Sequence, residues 1–491
     1  MIDQIIREEI KGEITAVVNV FKRPHILAEQ IEAIRSQTIP PKRIFIWNNG
    51  NSEVDLSKYK KDSDIRVFDN NYNYGVWSRF MLCFMAPTEF VCVFDDDTIP
   101  GSQWFENCLN CMTKKEALYG TIGVIFPDDR EHYRHLKRYG WDGPKNSTSY
   151  VDIIGHSWFF KREWLSYYVR EPVNIYSKIS NGEDMYLSFM LEKYANIQSC
   201  IPPHPINNLN MWGSIPDTAW KYGLDGNSES CKHYNFDVMY TDYLSRGFRT
   251  LISRTNATSE EDFSYFMNMI KNRKPFALIR PSDGEYHILQ NTTLTNIDNW
   301  TFTSGSKLHT DLKDALHLAS NKSCYIGIPC TCCNRDMAKW YVNEFDINPL
   351  YTTFANIFVN ANWKKWLEFI NTNKLNFNLV APYNKSNFLI SNHIEIPEYL
   401  VNDWELLGDS YIDKILSEVK TRVNNIYFFS CGPIAKILIS KAWAAHPHNI
   451  YIDIGSSLDL YIKGATNREY TNQDHQLSNL VCKFNSDLIS L

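Results

Sequence analysis

No run of apolar residues in this 491-residue chain approaches the roughly 18 needed to span a bilayer, so no transmembrane helix is expected. Neither sign of charge dominates. With 50 Lys and Arg against 56 Asp and Glu, the net charge of −6 gives no electrostatic case for nucleic acid or an anionic membrane surface. There is no P-loop and no Gly-rich kinase signature, which counts against phosphoryl transfer. The first residues, Met1 to Ile10, are amphipathic and carry acids instead of the apolar core of a secretion signal. The expected location is therefore cytoplasmic, and sequons such as Asn256-Ala257-Thr258 are expected to be accidental. Cysteines paired at zinc-finger spacing are also missing. The twelve present stand mostly alone in apolar runs (Cys83, Cys92, Cys324, Cys431), as reduced core thiols do. Even Cys330-Thr331-Cys332-Cys333 has no matching Cys or His cluster nearby and is not read as a metal site. What remains is 44% hydrophobic and 14% aromatic residues, ample for two packed cores.

In the first half, Ile14 to Phe21 reads as a buried strand ended by Lys22-Arg23-Pro24. Pro24 suits the first turn of a helix whose Leu27, Ile31 and Ile34 share one face. Lys42 to Trp47 is a second strand leaving into Asn48-Asn49-Gly50, and Ile65 to Phe68 a third. A helical stretch around Val76 to Met85 precedes a further strand, Glu89 to Val93, which runs into Phe94-Asp95-Asp96-Asp97. Such alternation predicts an α/β domain with a mostly parallel, Rossmann-like sheet flanked by helices. Ligands meet these sheets beyond the carboxyl ends of the strands, where Lys22-Arg23, Asn48-Asn49 and Asp95-Asp96-Asp97 fall. Three carboxylates there repel one another; they are either a solvated acidic turn or the ligands of a divalent cation. Downstream, Gly182-Glu183-Asp184 opens a helix read over Tyr186 to Leu191. Its acids either favour the helix dipole or supply a general base.

Taken in order, Phe21-Lys22-Arg23-Pro24, Asn48-Asn49-Gly50, Asn73-Tyr74-Gly75-Val76-Trp77-Ser78-Arg79 and Phe94-Asp95-Asp96-Asp97 resemble the GT-A glycosyltransferases, in their family-2-like and exostosin-like branches. The resemblance implies a DxD element in which Asp97 ligates Mn²⁺ or Mg²⁺ on a donor diphosphate, with Asp95 as a second ligand or ribose contact. It implies donor contacts from Lys22, Arg23, Asn48, Asn49, Arg79, Asp95 and Asp96. Asn48 stands where many relatives carry Asp. It further implies Asp184 as the base that deprotonates the acceptor hydroxyl, with Glu183 orienting it, and His204 as a third metal ligand. His156 is expected to line the acceptor site, and Trp158 and Trp164 either stack on a sugar or belong to the core.

The second half opens with Ser259-Glu260-Glu261-Asp262, a capping box in form, before Phe263, Phe266, Met267 and Ile270 at helical spacing. Domains are accordingly expected over 1–250 and 259–491, joined by a linker over 251–258. Phe276 to Arg280 is a strand entering Pro281-Ser282-Asp283-Gly284-Glu285, and strands at Tyr325, Ile426 and Ile450 likewise end in Gly-containing turns. Arg280 with Asp283-Gly284-Glu285, Gly327-Ile328-Pro329, Phe358 to Trp363, Gly432-Pro433 and Asp453-Ile454-Gly455-Ser456 resemble the GT-D glycosyltransferases. Relatives usually show Arg-Phe-Gly-Asp-Gly-Glu; here Pro281-Ser282 replaces Phe-Gly. The resemblance implies Asp283 and Glu285 as metal ligands, with Arg280, Gly284, Gly327, Gly432, Asp453 and Gly455 around the donor.

The expectation is a bifunctional transferase, GT-A followed by GT-D, passing sugars from UDP-sugars to a glycan acceptor. A single active GT-A unit with a glycan-binding or scaffolding second half is the alternative. Nucleotidyl transfer would use a similar acidic cluster but release pyrophosphate instead of a nucleoside diphosphate.

Overall fold

The computed structural model describes residues 12–127, 132–141, 143–172, 182–195, 197–216, 218, 236–296, 300–472 and 474–484. The N-terminal amphipathic segment lies outside them. The chain divides into two compact units, 1–253 and 254–491. The residues expected as a linker include a short helix, Leu251–Thr255.

In the first unit, strands β1 (Ile14–Val20), β2 (Arg43–Asn49), β3 (Ile65–Asn70) and β4 (Phe90–Phe94) alternate with helices α1 (Leu27–Arg35) and α2 (Ser78–Leu82). Helix α3 (Trp104–Lys114) leads to β5 (Leu118–Ile125), β6 (Lys137–Tyr139), β7 (Ser149–Val151) and β8 (Ile153–Lys161). Helix α4 (Glu183–Ala195) and the last strand, β9 (Ser199–Ile201), follow. The sheet order is β3-β2-β1-β4-β8-β5-β9-β7, with β6 beside β5. Strands β3, β2, β1 and β4 are mutually parallel; β1, β2 and β4 carry the buried apolar runs of covered strands, while edge strand β3 is partly exposed. From β8 onward the sheet becomes mixed, because β8 lies antiparallel to both β4 and β5. The expected α1 stripe is buried: Leu27, Ile31 and Ile34 are 4%, 3% and 0% exposed.

In the second unit, helix α5 (Ser259–Lys271) precedes β10 (Phe276–Ile279) and α6 (Asp283–Leu289). Its capping box is formed by Thr258 with Glu261, one residue earlier than expected, because the Ser259 hydroxyl accepts instead from Cys482 N. After the hairpin β11 (Leu294–Thr295) and β12 (Thr301–Phe302) come α7 (Lys307–Asn321), β13 (Tyr325–Ile328), β14 (Thr352–Phe354), β15 (Phe377–Ala381) and β16 (Ile390–Glu395). Helix α8 (Trp404–Val419), β17 (Ile426–Phe429), α9 (Ile434–Ala445) and β18 (Ile450–Asp453) follow. All pairings in the order β14-β13-β10-β18-β17-β15-β16 are parallel. Both units are thus α/β layers. No helix among the described residues is long and apolar enough to cross a membrane.

Candidate active site

Because β1, β2 and β4 are parallel, Arg23, Asn48 and Asp95 emerge at one sheet edge. Antiparallel β8 brings residues to that same edge from the opposite direction. Ser157 pairs with Phe94, and Asp95 N donates to the His156 carbonyl at 3.2 Å. His156 holds φ at +68°, a conformation rare outside glycine, and the β5–β8 register slips between Gly120 and Ile122 beside it. Trp141 packs edge-on against its ring at 4.6 Å.

The three aspartates have different partners. Asp96 accepts from Lys22 N at 3.0 Å and from Arg23 Nη1 at 2.8 Å, and Arg23 also lies 3.6 Å from Asp97. Arg79 is buried, stacked 4.7 Å from the Trp158 ring, and ion-paired to both Asp95 and Glu183 Oε1, the latter at 2.7 Å. Two buried ligand atoms have no hydrogen-bond partner, Asp97 Oδ1 and His156 Nδ1, and they stand 3.9 Å apart. Asp95 Oδ2 is also 3.9 Å from His156 Nδ1. Burial, reinforced by the charges of Asp95 and Asp96, pushes the Asp97 carboxyl up to about 7, with Arg23 opposing. Burial pushes His156 down to about 4, so its imidazole is neutral and a lone pair is available. Two carboxylate oxygens and one imidazole nitrogen within 4.8 Å of one another fit a divalent cation of the Mn²⁺ or Mg²⁺ kind.

Several expected residues stand elsewhere. His204 is not in the cluster; its ring nitrogens face the carbonyls of Pro202 (2.8 Å) and Gly143 (3.0 Å), and His156 occupies the third position. Asn48 and Asn49 are buried loop braces. Asn48 Nδ2 donates to Asp69 and to the Asn51 carbonyl, and Asn49 bonds the backbone of Tyr74 and Gly75. Glu183 faces Arg79, so it acts on Asp95 through that cation. Asp184 accepts from Met185 N at 2.7 Å, and burial lifts its carboxyl to about 6. Trp158 and Trp164 are core residues, 2% and 4% exposed.

Residues 15–171 match the model of Glycosyl transferase family 2. The match spans Lys22 to Arg79, the aspartate triplet and His156, about a third of the chain. It identifies the first unit as glycosyltransferase-like, in agreement with the cluster it encloses. No curated protein sequence matches the chain. Among solved structures, S. aureus TarS is similar at 13% identity and a TM-score of 0.29, over 39% of this chain and 35% of that one. The present chain thus spans about a third of TarS. The domain of unknown function 1792, described as having a distinct glycosyltransferase fold, is similar at 17% identity and a TM-score of 0.30, over 46% of this chain and 91% of that one. Mannosyltransferase PcManGT from Pyrobaculum calidifontis, solved with GDP-Man and Mn²⁺, is similar at 13% identity and a TM-score of 0.27, over 40% and 58%. Scores this low carry no functional weight.

In the second unit the ends of β10, β17 and β18 also converge, but on a lysine. Lys436, buried in the first turn of α9, has Nζ 2.7 Å from Glu285 and 2.9 Å from Asp453, and donates to the Gly432 carbonyl at 3.2 Å. Glu285 also accepts from Ser282 N in a capping box. The expected cation pair is therefore split: Glu285 is bound to Lys436, while Asp283 is exposed at the start of α6. Arg280 is internally bonded as well, through Nε to the Asp453 carbonyl (2.6 Å) and Nη1 to the Ala355 carbonyl (2.7 Å). Gly455, at φ +50°, leaves room for that guanidinium, since a Cβ there would lie 2.3 Å from Arg280 Nη2. Gly284 and Gly432 both lie against Trp300, and Gly327 against the Phe354 carbonyl of the neighbouring strand. Lys436 escaped the sequence reading, although a lysine between Ala435 and Ile437 in the mostly apolar run Ile434 to Trp443 was its signal.

Proposed function

We propose that the first unit transfers a glycosyl group from a nucleotide sugar to an acceptor hydroxyl, with Mn²⁺ or Mg²⁺ held by Asp95, Asp97 and His156. The observation that carries this is the pair of unpartnered buried ligand atoms, Asp97 Oδ1 and His156 Nδ1, within a glycosyl transferase family 2 match. When bound, such a cation offsets negative charge on the departing diphosphate. The chain's own groups do the rest. Arg79, gripped by Glu183, fixes Asp95, and Arg23 fixes Asp96. Asp184 takes the proton from the acceptor hydroxyl; at about 6 it is a stronger base than an exposed aspartate and still largely ionised at neutral pH. Attack assisted by one base gives inversion at the anomeric carbon. UDP-sugars are the donors carried over from the GT-A resemblance, and a glycan is the acceptor class.

For the second unit we propose an accessory role in binding glycan or nucleotide sugar, without a metal centre at Asp283 and Glu285. Lys436 supports this reading, because its ammonium already supplies positive charge to Glu285 and Asp453. The test is nucleoside diphosphate release from a panel of UDP-sugars with Mn²⁺. Asp97→Ala and His156→Ala are expected to abolish turnover and Asp283→Ala to retain it. Loss of a different donor's turnover in Asp283→Ala would establish two independent transferases instead. Turnover unchanged in Asp97→Ala would overturn the metal assignment.

A further inference from the structure

The second unit brings a distant fourth thiol to three that are neighbours in sequence. Cys330, Cys332 and Cys333 occupy the turn after β13, folded so that Cys333 N and Asn334 N both donate to the Cys330 carbonyl at 3.1 and 2.9 Å. Cys482 arrives from the far end of the unit. Its backbone is held on both sides by Ser259, with Cys482 N donating to Ser259 Oγ at 3.0 Å and Ser259 N to the Cys482 carbonyl at 2.8 Å. Two residues on, Phe484 stacks on Phe354 of β14 with ring centroids 4.3 Å apart. The four sulfurs all lie within 4.8 Å of one another, with Cys330 and Cys332 at 3.0 Å and Cys333 and Cys482 at 3.9 Å. All four are free thiols.

We infer that Cys330, Cys332, Cys333 and Cys482 form a tetrathiolate site for a structural zinc ion. A tetrahedron with Zn–S bonds of about 2.3 Å spaces its sulfurs about 3.8 Å apart, so the observed set closes on an ion with small side-chain rotations. Soft sulfur ligands without carboxylate or water select zinc over the hard cations suited to the first unit. Asn356 Nδ2 donates to Cys482 Sγ at 3.0 Å, the N–H donor that a thiolate ligand needs around it. Cys330 and Cys482 are buried while Cys332 and Cys333 are exposed, leaving a side open for the ion to enter. Zinc would displace the four thiol protons to solvent and tie residue 482 to the turn after β13. A sequence search for paired motifs misses the site because its fourth ligand lies 149 residues after the third.

The test uses the full chain purified under reducing conditions. Elemental analysis is expected to give one zinc per chain after dialysis. Exchange with Co²⁺ is expected to give tetrahedral d–d bands together with thiolate-to-cobalt charge-transfer absorption, and the carboxylate and imidazole cluster of the first unit, having no sulfur, cannot produce the charge-transfer band. Cys332→Ser and Cys333→Ser, both at exposed positions, are expected to lose zinc and to weaken the charge-transfer band. Wild-type protein that holds no zinc and shows no thiolate–cobalt band would overturn the inference, whatever the variants do. An unchanged spectrum in folded Cys333→Ser would overturn it equally.

Discussion

Replacing Arg79 by Met isolates the most consequential cation of the first unit. Arg79 is 4% exposed, pairs with Asp95 and with Glu183 at 2.7 Å, and packs on Trp158. Met keeps much of the apolar stem contact but leaves the Glu183 carboxylate, 10% exposed, without its cation. Burial pushes the Glu183 carboxyl up to about 8, so the comparison is made above that pH, where it ionises and removing one partner of the buried pair costs about 3–5 kcal/mol because the remaining charge is uncompensated. In a domain of this size 1 kcal/mol moves Tm by about 2–4 °C, so the transition of the first unit is expected to fall by roughly 6–20 °C. Glu183→Gln in the Arg79→Met background removes the stranded charge while keeping the volume, and most of that loss is expected to return. Calorimetric unfolding of wild type, both single variants and the double variant completes the cycle. The coupling between the two sites is expected to be about 2 kcal/mol or more. Additive losses would mean that Arg79 and Glu183 do not form the pair described. Mn²⁺ affinity should drop in Arg79→Met and remain low in the double variant, since Asp95 stays unsupported in both.

Three other perturbations separate packing from charge. Gly455→Ala places a methyl against Arg280 Nη2 in a left-handed backbone, whereas Gly464→Ala, also at positive φ, meets only Lys385 Cδ at 3.7 Å. Thermal unfolding should show Gly455→Ala costing about 2–4 kcal/mol and Gly464→Ala about 1–2, and equal losses would refute the close approach. Asn48→Asp installs the residue many GT-A relatives carry, but against Asp69 Oδ1 at 2.9 Å; a loss of about 1–3 kcal/mol in denaturant melts is expected, and a gain would show that the two carboxylates share an unrecognised cation. Burial pushes Asp152 up to about 7 although Phe126 N and Leu251 N donate to it. Its folded pKa is thus raised above the unfolded one, so its contribution to stability is greatest below about pH 4 and falls as pH rises through 7. The stability gap between wild type and Asp152→Asn is expected to narrow from pH 5 to pH 8 in thermal melts, and a constant gap would refute the buried proton.

The elements that positioned correctly from sequence are those whose evidence is local. Val17, Ile46 and Val93 lie in apolar runs that only doubly covered strands require, and Leu27, Ile31 and Ile34 mark a helix face with no help from elsewhere in the chain. The same holds for the meeting of Arg23 with the aspartates, because parallel β1 and β4 deliver their ends to one edge. What could not be read is strand direction. A strand's alternation is the same run either way, so nothing in Ile153 to Lys161 says that β8 is antiparallel and that His156, not His204, meets Asp97. Identity of partners is a second blind spot. Asp283-Gly284-Glu285 reads as a cation loop, and nothing near it in sequence signals that Lys436, 151 residues beyond Glu285, is the ion-pair partner of Glu285. Cys482 completes a cluster whose other members lack any local mate. Even the cap of α5 turns on this, since Thr258 and Ser259 are equivalent by composition and a tertiary bond to Cys482 decides between them. Sequence motifs therefore located the acidic clusters of both units, whereas long-range contacts determine which groups each carboxylate meets. In the first unit those contacts leave two ligand atoms without a partner, and in the second they provide one for Glu285. That difference is the physical reason for proposing metal-assisted transfer in the first unit alone.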